Sequence, residues 1–524
     1  MTVLTTCPPV CSRRRLLALA GVVALAGGGA ACTASPASAP NGRLRLAMLQ
    51  PPRSGLSPLS DDAFKLSRWA TAQTLLYLDS DGGILAGLAT SWSREDELTW
   101  RLSLRQSVTF HDGTAMTSDH AAASLAYAAG YSVPPRILDG VRMSVRAEGA
   151  DLVVSTAEPD ALLPQRLTSP QLAILSPAAY PHDGRADGPV DPVGHGTGPF
   201  VLTAVDGAAG ATLDRFPDYW GSVATLEGID VTFVPDGTAR TAALRSGEAD
   251  LVEAVPVSQA ATIDPSLVHE VPMPRTATLY LNTASGPMSD PAVRAVVRDA
   301  VDPGALVDTM YEGHADVAAG LLGPALSWAA PRRAWGSQPY AGPQGAAARG
   351  LVPGAQQAGT LAPGTAITIG SYSDRPELAE AVVVIAQQLE AAGFTVATDV
   401  REYAQIEADA LAGGFDVFLL SRATVLDSGD PVAYMVSDFA STGSFSLSFL
   451  ANDEVDRELA AAGDLPVGQE RQELIMRAEE KILACGAAVP LLHERVLQGE
   501  AATVQQAQRD PRERELVTTS TRLA

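Results

Sequence analysis

Residues 98–114 read LTWRLSLRQSVTFHDGT, a run in which a strand pattern is followed directly by a turn signal. Apolar and polar side chains alternate over its first half. The apolar positions are Leu98, Trp100, Leu102 and Leu104. Because successive side chains of a strand point to opposite faces of a sheet, this alternation predicts a half-buried strand. The HDGT residues at 111–114 predict a tight turn, and Thr117-Ser118-Asp119 predict the start of a helix.

A second region, residues 366–420, predicts a β-α-β-α-β unit. Strands are predicted at 366–370, 395–400 and 415–420, and a long helix over 377–392 is closed by Gly393. Strands that alternate with helices form a parallel sheet with helices packed on it. The fold class expected from the residues alone is therefore α/β.

Two further helices are predicted outside that unit. One covers residues 61–78, with Asp61 and Asp62 placed to cap its start. The other covers residues 469–484 near the end of the chain.

The length, composition and net charge indicate how many domains to expect and which kinds of partner to exclude. The chain has 524 residues, of which 46% are hydrophobic and 19% charged, so about two or three domains with sizeable cores are expected. The formal net charge of −23 repels nucleic acid, which we exclude as a partner, and mildly favours cationic ligands.

Catalytic and metal-binding signatures are missing from the sequence. The 7 histidines form no H-E-x-x-H pair, and there is no G-x-S-x-G elbow, Walker loop or dinucleotide fingerprint. We therefore expect no enzymatic activity, no metal site and no cofactor. A secreted hydrolase stays as an alternative, because catalytic triads are recognised in space rather than in sequence.

The first residues have the pattern of an export signal. Three arginines at 13–15 precede an apolar run over 16–27, which is too short to span a bilayer. The signal peptide is predicted at 1–31, with export by either the Sec or the twin-arginine route. The residues GAAC, 29–32, resemble a bacterial lipobox, which implies that Cys32 carries a diacylglyceryl group. Ordinary cleavage without lipid is the alternative.

The chain beyond Cys32 is expected outside the cytoplasm. Residues 32–42 are rich in Ala, Ser and Pro and predict a lipid-anchored tether. No later apolar stretch is long enough to span a membrane. The mature protein is therefore expected at the outer face of the cytoplasmic membrane, held there by its lipid alone.

Several short motifs occur in an order that resembles one family, the bacterial extracellular solute-binding proteins, family 5, which bind oligopeptides, dipeptides or nickel for ABC importers. The motifs are LAGLATSW (85–92), LTWRL (98–102), VTFHDGT (108–114), GTGPF (196–200), DYWG (218–221), LRSGEAD (244–250), Asn282 with DPAVR (290–294), FDV (415–417) and DSGDP (427–431). Together they span nearly the whole mature chain.

The resemblance implies a bilobed periplasmic-binding-protein-like fold of class II type, with an extra subdomain inserted in the first lobe. The expected parts are lobe I at 43–82, the inserted subdomain at 83–184, lobe I again at 185–277, lobe II at 278–488 and a return to lobe I at 489–524. Such proteins close around the ligand by a hinge motion. The expected partners are a small ligand and the permease subunits of an ABC importer, and the protein itself is expected to be a monomer.

The same resemblance implies which residues contact the ligand. In peptide-binding relatives an aspartate at the position of Asp427 holds the α-ammonium group, and a buried ammonium requires such a counter-charge. The alternative is that Asp427 only shapes its turn. Thr424 stands where the family usually has a tryptophan, which suggests an atypical ligand. Arg422, near the same loop, is a candidate for binding a ligand carboxylate.

Two other segments are candidates for the cleft. Gly196, Thr197 and Gly198 offer backbone N–H groups to a ligand or, alternatively, form a bend between lobes. Tyr280 and Asn282 are expected where the chain crosses between the lobes.

The function that the sequence favours is capture of a small ligand, most simply a peptide, and its delivery to an ABC importer. A sensor or scaffold lipoprotein with the same fold is the main alternative.

Overall fold

The computed structural model describes residues 42–79, 82–181, 187–348, 361–362, 364–425 and 428–524. The predicted signal peptide, Cys32 and the predicted tether up to residue 41 lie outside these residues. The strands of the described chain are β1 (Arg43–Met48), β2 (Leu76–Leu78), β3 (Ile84–Ala86), β4 (Ala89–Arg94), β5 (Thr99–Leu104), β6 (Met143–Glu148), β7 (Asp151–Thr156), β8 (Phe200–Asp206), β9 (Gly210–Arg215), β10 (Gly228–Phe233), β11 (Leu251–Val255), β12 (Val268–Leu281), β13 (Ala315–Val317), β14 (Thr365–Tyr372), β15 (Phe394–Arg401), β16 (Val417–Ala423), β17 (Ala488–Glu500), β18 (Val504–Gln505) and β19 (Arg522–Leu523).

The α-helices are α1 (Ala63–Arg68), α2 (Ser118–Gly130), α3 (Leu163–Arg166), α4 (Gly237–Ser246), α5 (Val257–Ala260), α6 (Pro291–Ala300), α7 (Pro303–Met310), α8 (Gly342–Ala348), α9 (Pro376–Ala391), α10 (Tyr403–Leu411), α11 (Val432–Phe439), α12 (Asp453–Asp464) and α13 (Gln469–Ala484). Short 3₁₀ helices cover Arg136–Leu138, Pro170–Leu172, Pro177–Ala179, Pro265–Leu267, Pro287–Ser289 and Ala330–Arg332. None of these described helices is long and apolar enough to cross a bilayer.

One mixed sheet runs through both halves of the described chain, in the order β15-β14-β16-β12-β17-β11-β1-β10-β9-β8. At one end β1 pairs in parallel with β10 and β11, and this part is lobe I. At the other end β14 pairs in parallel with β15 and β16, and this part is lobe II. Each lobe thus has its own parallel sheet, and antiparallel strands join the two.

The junction consists of β12 and β17, long strands of 14 and 13 residues. Residues 268–272 of β12 pair with 495–499 of β17, and residues 276–280 pair with 488–493, with a register shift between the two stretches. The chain enters lobe II along β12 and returns to lobe I along β17. The register shift interrupts the antiparallel ladder between these two stretches.

A separate sheet of the order β4-β5-β7-β6 packs with α2 around its own core. Leu102, Leu125 and Val154 are buried there, while Leu46 and Ile229 belong to the core of lobe I. Because this sheet lies in the chain between β1 and β10, it is an insertion into lobe I. The predicted fold class, a bilobed α/β fold with an inserted subdomain, is confirmed. The predicted residue boundaries of the parts stay predictions.

Several predicted elements match the structure closely. The helix predicted over 469–484 is α13, and the half-buried strand in 98–114 is β5. The predicted β-α-β-α-β unit is also present, since β14, β15 and β16 are parallel and α9 follows β14.

The helix predicted over 61–78 is wrong. Helix α1 ends at Arg68, and Ala70 then takes a left-handed backbone conformation with φ of 51°. The expected cap is also absent, because the Asp62 carboxylate accepts hydrogen bonds from the backbone of Arg53 and Ser54 instead. Tertiary contacts of residues 70–78 with the inserted subdomain and lobe I override the local helical pattern.

A buried ion pair between α13 and the loop before α11 generates a stability prediction. Arg471 donates two hydrogen bonds of 2.8 Å to Asp430, and the two side chains are 1% and 7% exposed. Arg471→Met leaves the Asp430 carboxylate buried without its partner. The free energy of unfolding in urea should fall by about 3–5 kcal/mol.

Arg477→Met is the matched control on the same helix. Arg477 pairs with Glu458 but is 51% exposed, so its loss should cost less than about 1 kcal/mol. Equal unfolding free energies for the two variants would contradict the importance of the Arg471–Asp430 pair.

Candidate ligand-binding site

The carboxyl ends of the parallel strands of lobe II meet at one edge, and aromatic and cationic side chains collect there. Tyr372 ends β14, Tyr403 follows β15, and Arg422 lies next to the end of β16. Arg375 follows β14 and precedes α9. Ligands of open α/β sheets bind at this edge, so these four side chains form the candidate site, which we call the lobe II edge.

The two tyrosines of the lobe II edge contact each other. Their rings have centroids 5.4 Å apart and meet edge to face at 78°. This geometry is the favoured one for aromatic pairs. Tyr372 belongs to the buried core of lobe II, and Tyr403 is partly buried against it.

Arg375 connects the lobe II edge to the long strand β17. Its guanidinium donates to Ser421 at 2.9 Å, to Glu494 of β17 at 2.7 Å and to Glu377 at 2.8 Å. Burial lowers the pKa of Arg375, but the charges of Glu494 and Glu377 outweigh burial and raise it. The cation is thus held by two carboxylates, one of them next to the junction between the lobes.

Arg422 and Tyr280, two residues predicted from the sequence, meet at a third residue that the sequence did not single out. Asp438 is fully buried and accepts two hydrogen bonds from Arg422, at 3.0 and 2.8 Å, and one from the Tyr280 hydroxyl at 2.9 Å. Burial lowers the pKa of Arg422, but the charge of Asp438 outweighs it and raises that pKa. Burial also raises the pKa of Asp438, with opposing contributions from the Arg422 charge and the Tyr280 hydrogen bond. The Tyr280 hydroxyl is thus already engaged within the protein.

Arg422 still has a side available for a ligand. Its side chain is 31% exposed and its guanidinium lies 4.4 Å from the centre of the Phe445 ring. The bonds to Asp438 use Nε and Nη2, and within the described chain no hydrogen bond engages Nη1.

Thr424 and Asn282 are engaged with the backbone. The backbone N–H and the hydroxyl of Thr424 both donate to the carbonyl of Pro274, at 2.8 and 3.2 Å. Asn282 accepts hydrogen bonds from the N–H groups of Ala284 and Ser285, each at 3.2 Å. Thr424 thus fastens the end of β16 to the junction strand β12, and Asn282 closes the turn after β12.

Gly196 and Gly198 lie directly against the chain that follows α1. A Cβ atom at these positions would stand 2.0 Å from the carbonyl oxygen of Thr71 and 1.9 Å from that of Ala70. The Gly198 N–H donates to Thr71 at 3.1 Å. Close backbone packing therefore requires glycine at both positions, and this N–H is already used within the protein.

Asp427 lies outside the described residues, but the loop immediately after it is described. A Cβ atom on Gly429 would stand 2.4 Å from Leu78, and Gly429 itself has φ of 71°. Gly82 takes part in the same contact. A Cβ atom added to Gly82 would lie 3.5 Å from the Gly429 carbonyl oxygen. Gly429 of lobe II thus lies against Leu78 and Gly82, at the start of the lobe I insertion.

One cluster has the residue types of a serine hydrolase but a different geometry. The Ser176 hydroxyl lies 2.8 Å and an Asp112 oxygen 3.4 Å from the same nitrogen, Nδ1 of His195. A hydrolase triad needs the serine on one ring nitrogen and the carboxylate on the other. Asp112 also accepts a hydrogen bond from the Thr114 N–H at 2.9 Å, and this bond lies within the predicted HDGT turn.

The described residues contain no group of His, Cys, Asp or Glu arranged to hold a metal ion.

The glycine packing generates a second prediction. Gly198→Ala forces a methyl group into the Ala70 carbonyl and should lower the free energy of unfolding by roughly 1–3 kcal/mol. Gly463→Ala is the control, because that helical glycine has nothing within 4 Å of the added Cβ. A Gly198→Ala variant as stable as the wild type in urea would contradict the close packing.

Comparisons with known proteins agree with this architecture. The family described as bacterial extracellular solute-binding proteins, family 5 Middle, matches residues 83–446. The glutathione-binding protein GsiB of Pectobacterium atrosepticum is 25% identical over 448 residues, covering 81% of this chain and 83% of that protein.

Two solved structures share the fold. The nickel ABC transporter protein of Bacillus halodurans superposes with a TM-score of 0.77 at 23% identity, over 92% of this chain and 100% of the other. DppA of Helicobacter pylori in complex with the peptide STSA superposes with a TM-score of 0.71 at 21% identity, over 92% and 98%. The chain belongs to the bacterial extracellular solute-binding proteins of family 5.

Proposed function

We propose that the protein captures a small peptide between its lobes and delivers it to an ABC importer, while a lipid on Cys32 holds it at the membrane. The observation that carries this proposal is the lobe II edge, where two arginines lie at the carboxyl ends of the parallel strands and Arg375 bonds Glu494 of the junction strand β17. The glutathione-binding relative and the peptide complex of DppA support a peptide as the ligand.

Hinge closure rests on the two junction strands. Residues 272–276 of β12 contain Pro272 and Pro274, which lack N–H donors, and the ladder with β17 changes register there. Bending at this point moves one lobe against the other without breaking the parallel sheet of either lobe.

Recognition of a peptide requires partners for both of its charged ends. Asp427 supplies the carboxylate for the α-ammonium group. Arg422 supplies a donor for a ligand carboxylate through Nη1, which the bonds to Asp438 leave available. The small Thr424, turned toward Pro274, leaves the space of a larger side chain to the ligand.

Asp427→Asn tests the ammonium contact. The variant should bind trialanine about 10- to 100-fold more weakly than the wild type in isothermal titration calorimetry, because a charge-assisted hydrogen bond becomes a neutral one. N-acetyl-trialanine, which has no ammonium group, should bind the wild type poorly and lose nothing further in the variant.

Asp308→Asn is the control for a change of charge alone, since Asp308 is exposed on α7. Trialanine affinity that is equal in the wild type and in Asp427→Asn would refute the assignment of Asp427. A wild-type protein that binds no peptide would refute the peptide ligand.

The lipid anchor is tested by Cys32→Ser. In the native host the wild type should sediment with membranes and gain the mass of a diacylglyceryl group, whereas the variant should do neither. Cys485→Ser is the control, because Cys485 is a free cysteine within the described residues. This variant should still carry the lipid. Membrane association that survives Cys32→Ser would contradict the anchor.

A further inference from the structure

A cavity of about 320 Å³ opens between helix α13 and the loop that follows the 3₁₀ helix Ala330–Arg332. It belongs to lobe II, because Trp335 and Met476 of its lining pack in the same core as Ile369 of β14. It shares no residue with the lobe II edge. Its volume lies at the lower end of the range of roughly 300–1,000 Å³ that is typical of small-molecule sites.

The base of the cavity is a buried ion pair. Arg333 donates to Glu479 from Nε at 2.7 Å and from Nη2 at 2.8 Å, and the two side chains are 2% and 0% exposed. Glu479 also accepts a hydrogen bond from the Leu322 N–H at 3.1 Å. These two charges satisfy each other, so the base is fixed in position and adds no net charge to the cavity.

One part of the lining is apolar and held in place. The indole Nε1 of Trp335 donates to the Ala319 carbonyl at 2.7 Å, and its ring centroid lies 6.1 Å from that of Tyr340. Trp335 is half-buried, and Met476 is buried. An indole in a fixed orientation and a thioether together offer a contact surface for an apolar side chain.

Helix α13 presents one face to the cavity. The lining residues Glu473, Met476, Arg477 and Glu480 have the spacing i, i+3, i+4 and i+7, which places side chains on the same side of a helix. Arg477 already pairs with Glu458 at 3.0 Å. Glu480 is exposed, and in the part of the chain that the structure describes no hydrogen bond or ion pair engages its carboxylate. Glu480 is therefore available for a cationic group of a ligand.

Arg332 supplies the opposite charge from the facing loop. It is exposed, and its one hydrogen bond within the described residues runs from Nη1 to the Trp328 carbonyl at 3.0 Å. No carboxylate of the described chain pairs with it, although the protein carries 60 acidic residues against 37 basic ones. The other N–H groups of this guanidinium are available for an anionic group of a ligand.

We propose that this cavity is an accessory site for a free α-amino acid with an apolar side chain. The ligand carboxylate binds Arg332, its ammonium group binds Glu480, and its side chain packs on Trp335 and Met476. A zwitterion satisfies both unpaired charges of the lining, whereas a ligand with a single charge leaves one of them without a partner. This inference does not depend on the proposed peptide-binding function, and the two ligands should not compete for the protein.

The test uses three ligands that differ in one charge. L-Phenylalanine is the zwitterion, L-phenylalaninamide lacks the carboxylate, and N-acetyl-L-phenylalanine lacks the ammonium group. Isothermal titration calorimetry measures each against the wild type, Arg332→Gln and Glu480→Gln. The controls are Arg457→Gln on α12 and Glu390→Gln on α9, since both side chains are exposed and neither lines the cavity.

Each charge should be lost to its own variant. Arg332→Gln should bind L-phenylalanine about 10-fold more weakly than the wild type but bind L-phenylalaninamide equally well. Glu480→Gln should also lose about 10-fold for L-phenylalanine but bind N-acetyl-L-phenylalanine as the wild type does. Both control variants should match the wild type for all three ligands, and saturating trialanine should leave the affinity for L-phenylalanine unchanged.

Three results would overturn this inference and leave the proposed function standing. The first is a wild type that gives no heat of binding with L-phenylalanine up to about 10 mM. The second is an affinity for L-phenylalanine that is equal in the wild type and in Arg332→Gln. The third is displacement of L-phenylalanine by trialanine, which would place the amino acid between the lobes rather than in this cavity.

Discussion

The pairing of β12 with β17 is the constraint on which the other features depend. These strands belong to both lobes, since β17 also pairs with β11 of lobe I and β12 with β16 of lobe II. A single uninterrupted ladder of this length would make the molecule one stiff sheet. The register shift between Pro272 and Thr276 divides the ladder into two stretches, each with its own hydrogen bonds, and the hinge that we propose lies between them. Thr424 and Glu494 act at this place, one by bonding Pro274 and the other by holding Arg375.

Charge pairing fixes the two arginines at the carboxyl ends of the lobe II strands. A desolvated arginine needs a carboxylate partner, and Arg375 has Glu494 and Arg422 has Asp438. Such pairs hold the arginines in one orientation, so that a remaining N–H group points in a defined direction.

The sequence predicted the regular parts of the fold well, because their patterns are local. Helix α13 and the parallel unit of β14, β15 and β16 follow directly from periodicity and from Gly393. The helix predicted over 61–78 failed because its second half is determined by contacts with residues more than a hundred positions away, among them Gly198. The candidate site was likewise predicted only in part, because its residues come from distant parts of the sequence. Arg422 and Tyr280 were each singled out, but their common partner Asp438 is 16 residues from one and 158 from the other, and no local pattern joins them.

The motifs that carry the family resemblance also explain why ligand identity is hard to infer from them. GTGPF contributes Thr197 and DYWG contributes Tyr219 and Trp220, and all three side chains converge on Gln73. The glycines of GTGPF are required by close packing on residues 70–71. These motifs therefore build a rigid, internally bonded part of lobe I. The neighbours of residues outside these motifs become known only when distant segments are brought together in the fold, as Pro274 is brought to Thr424.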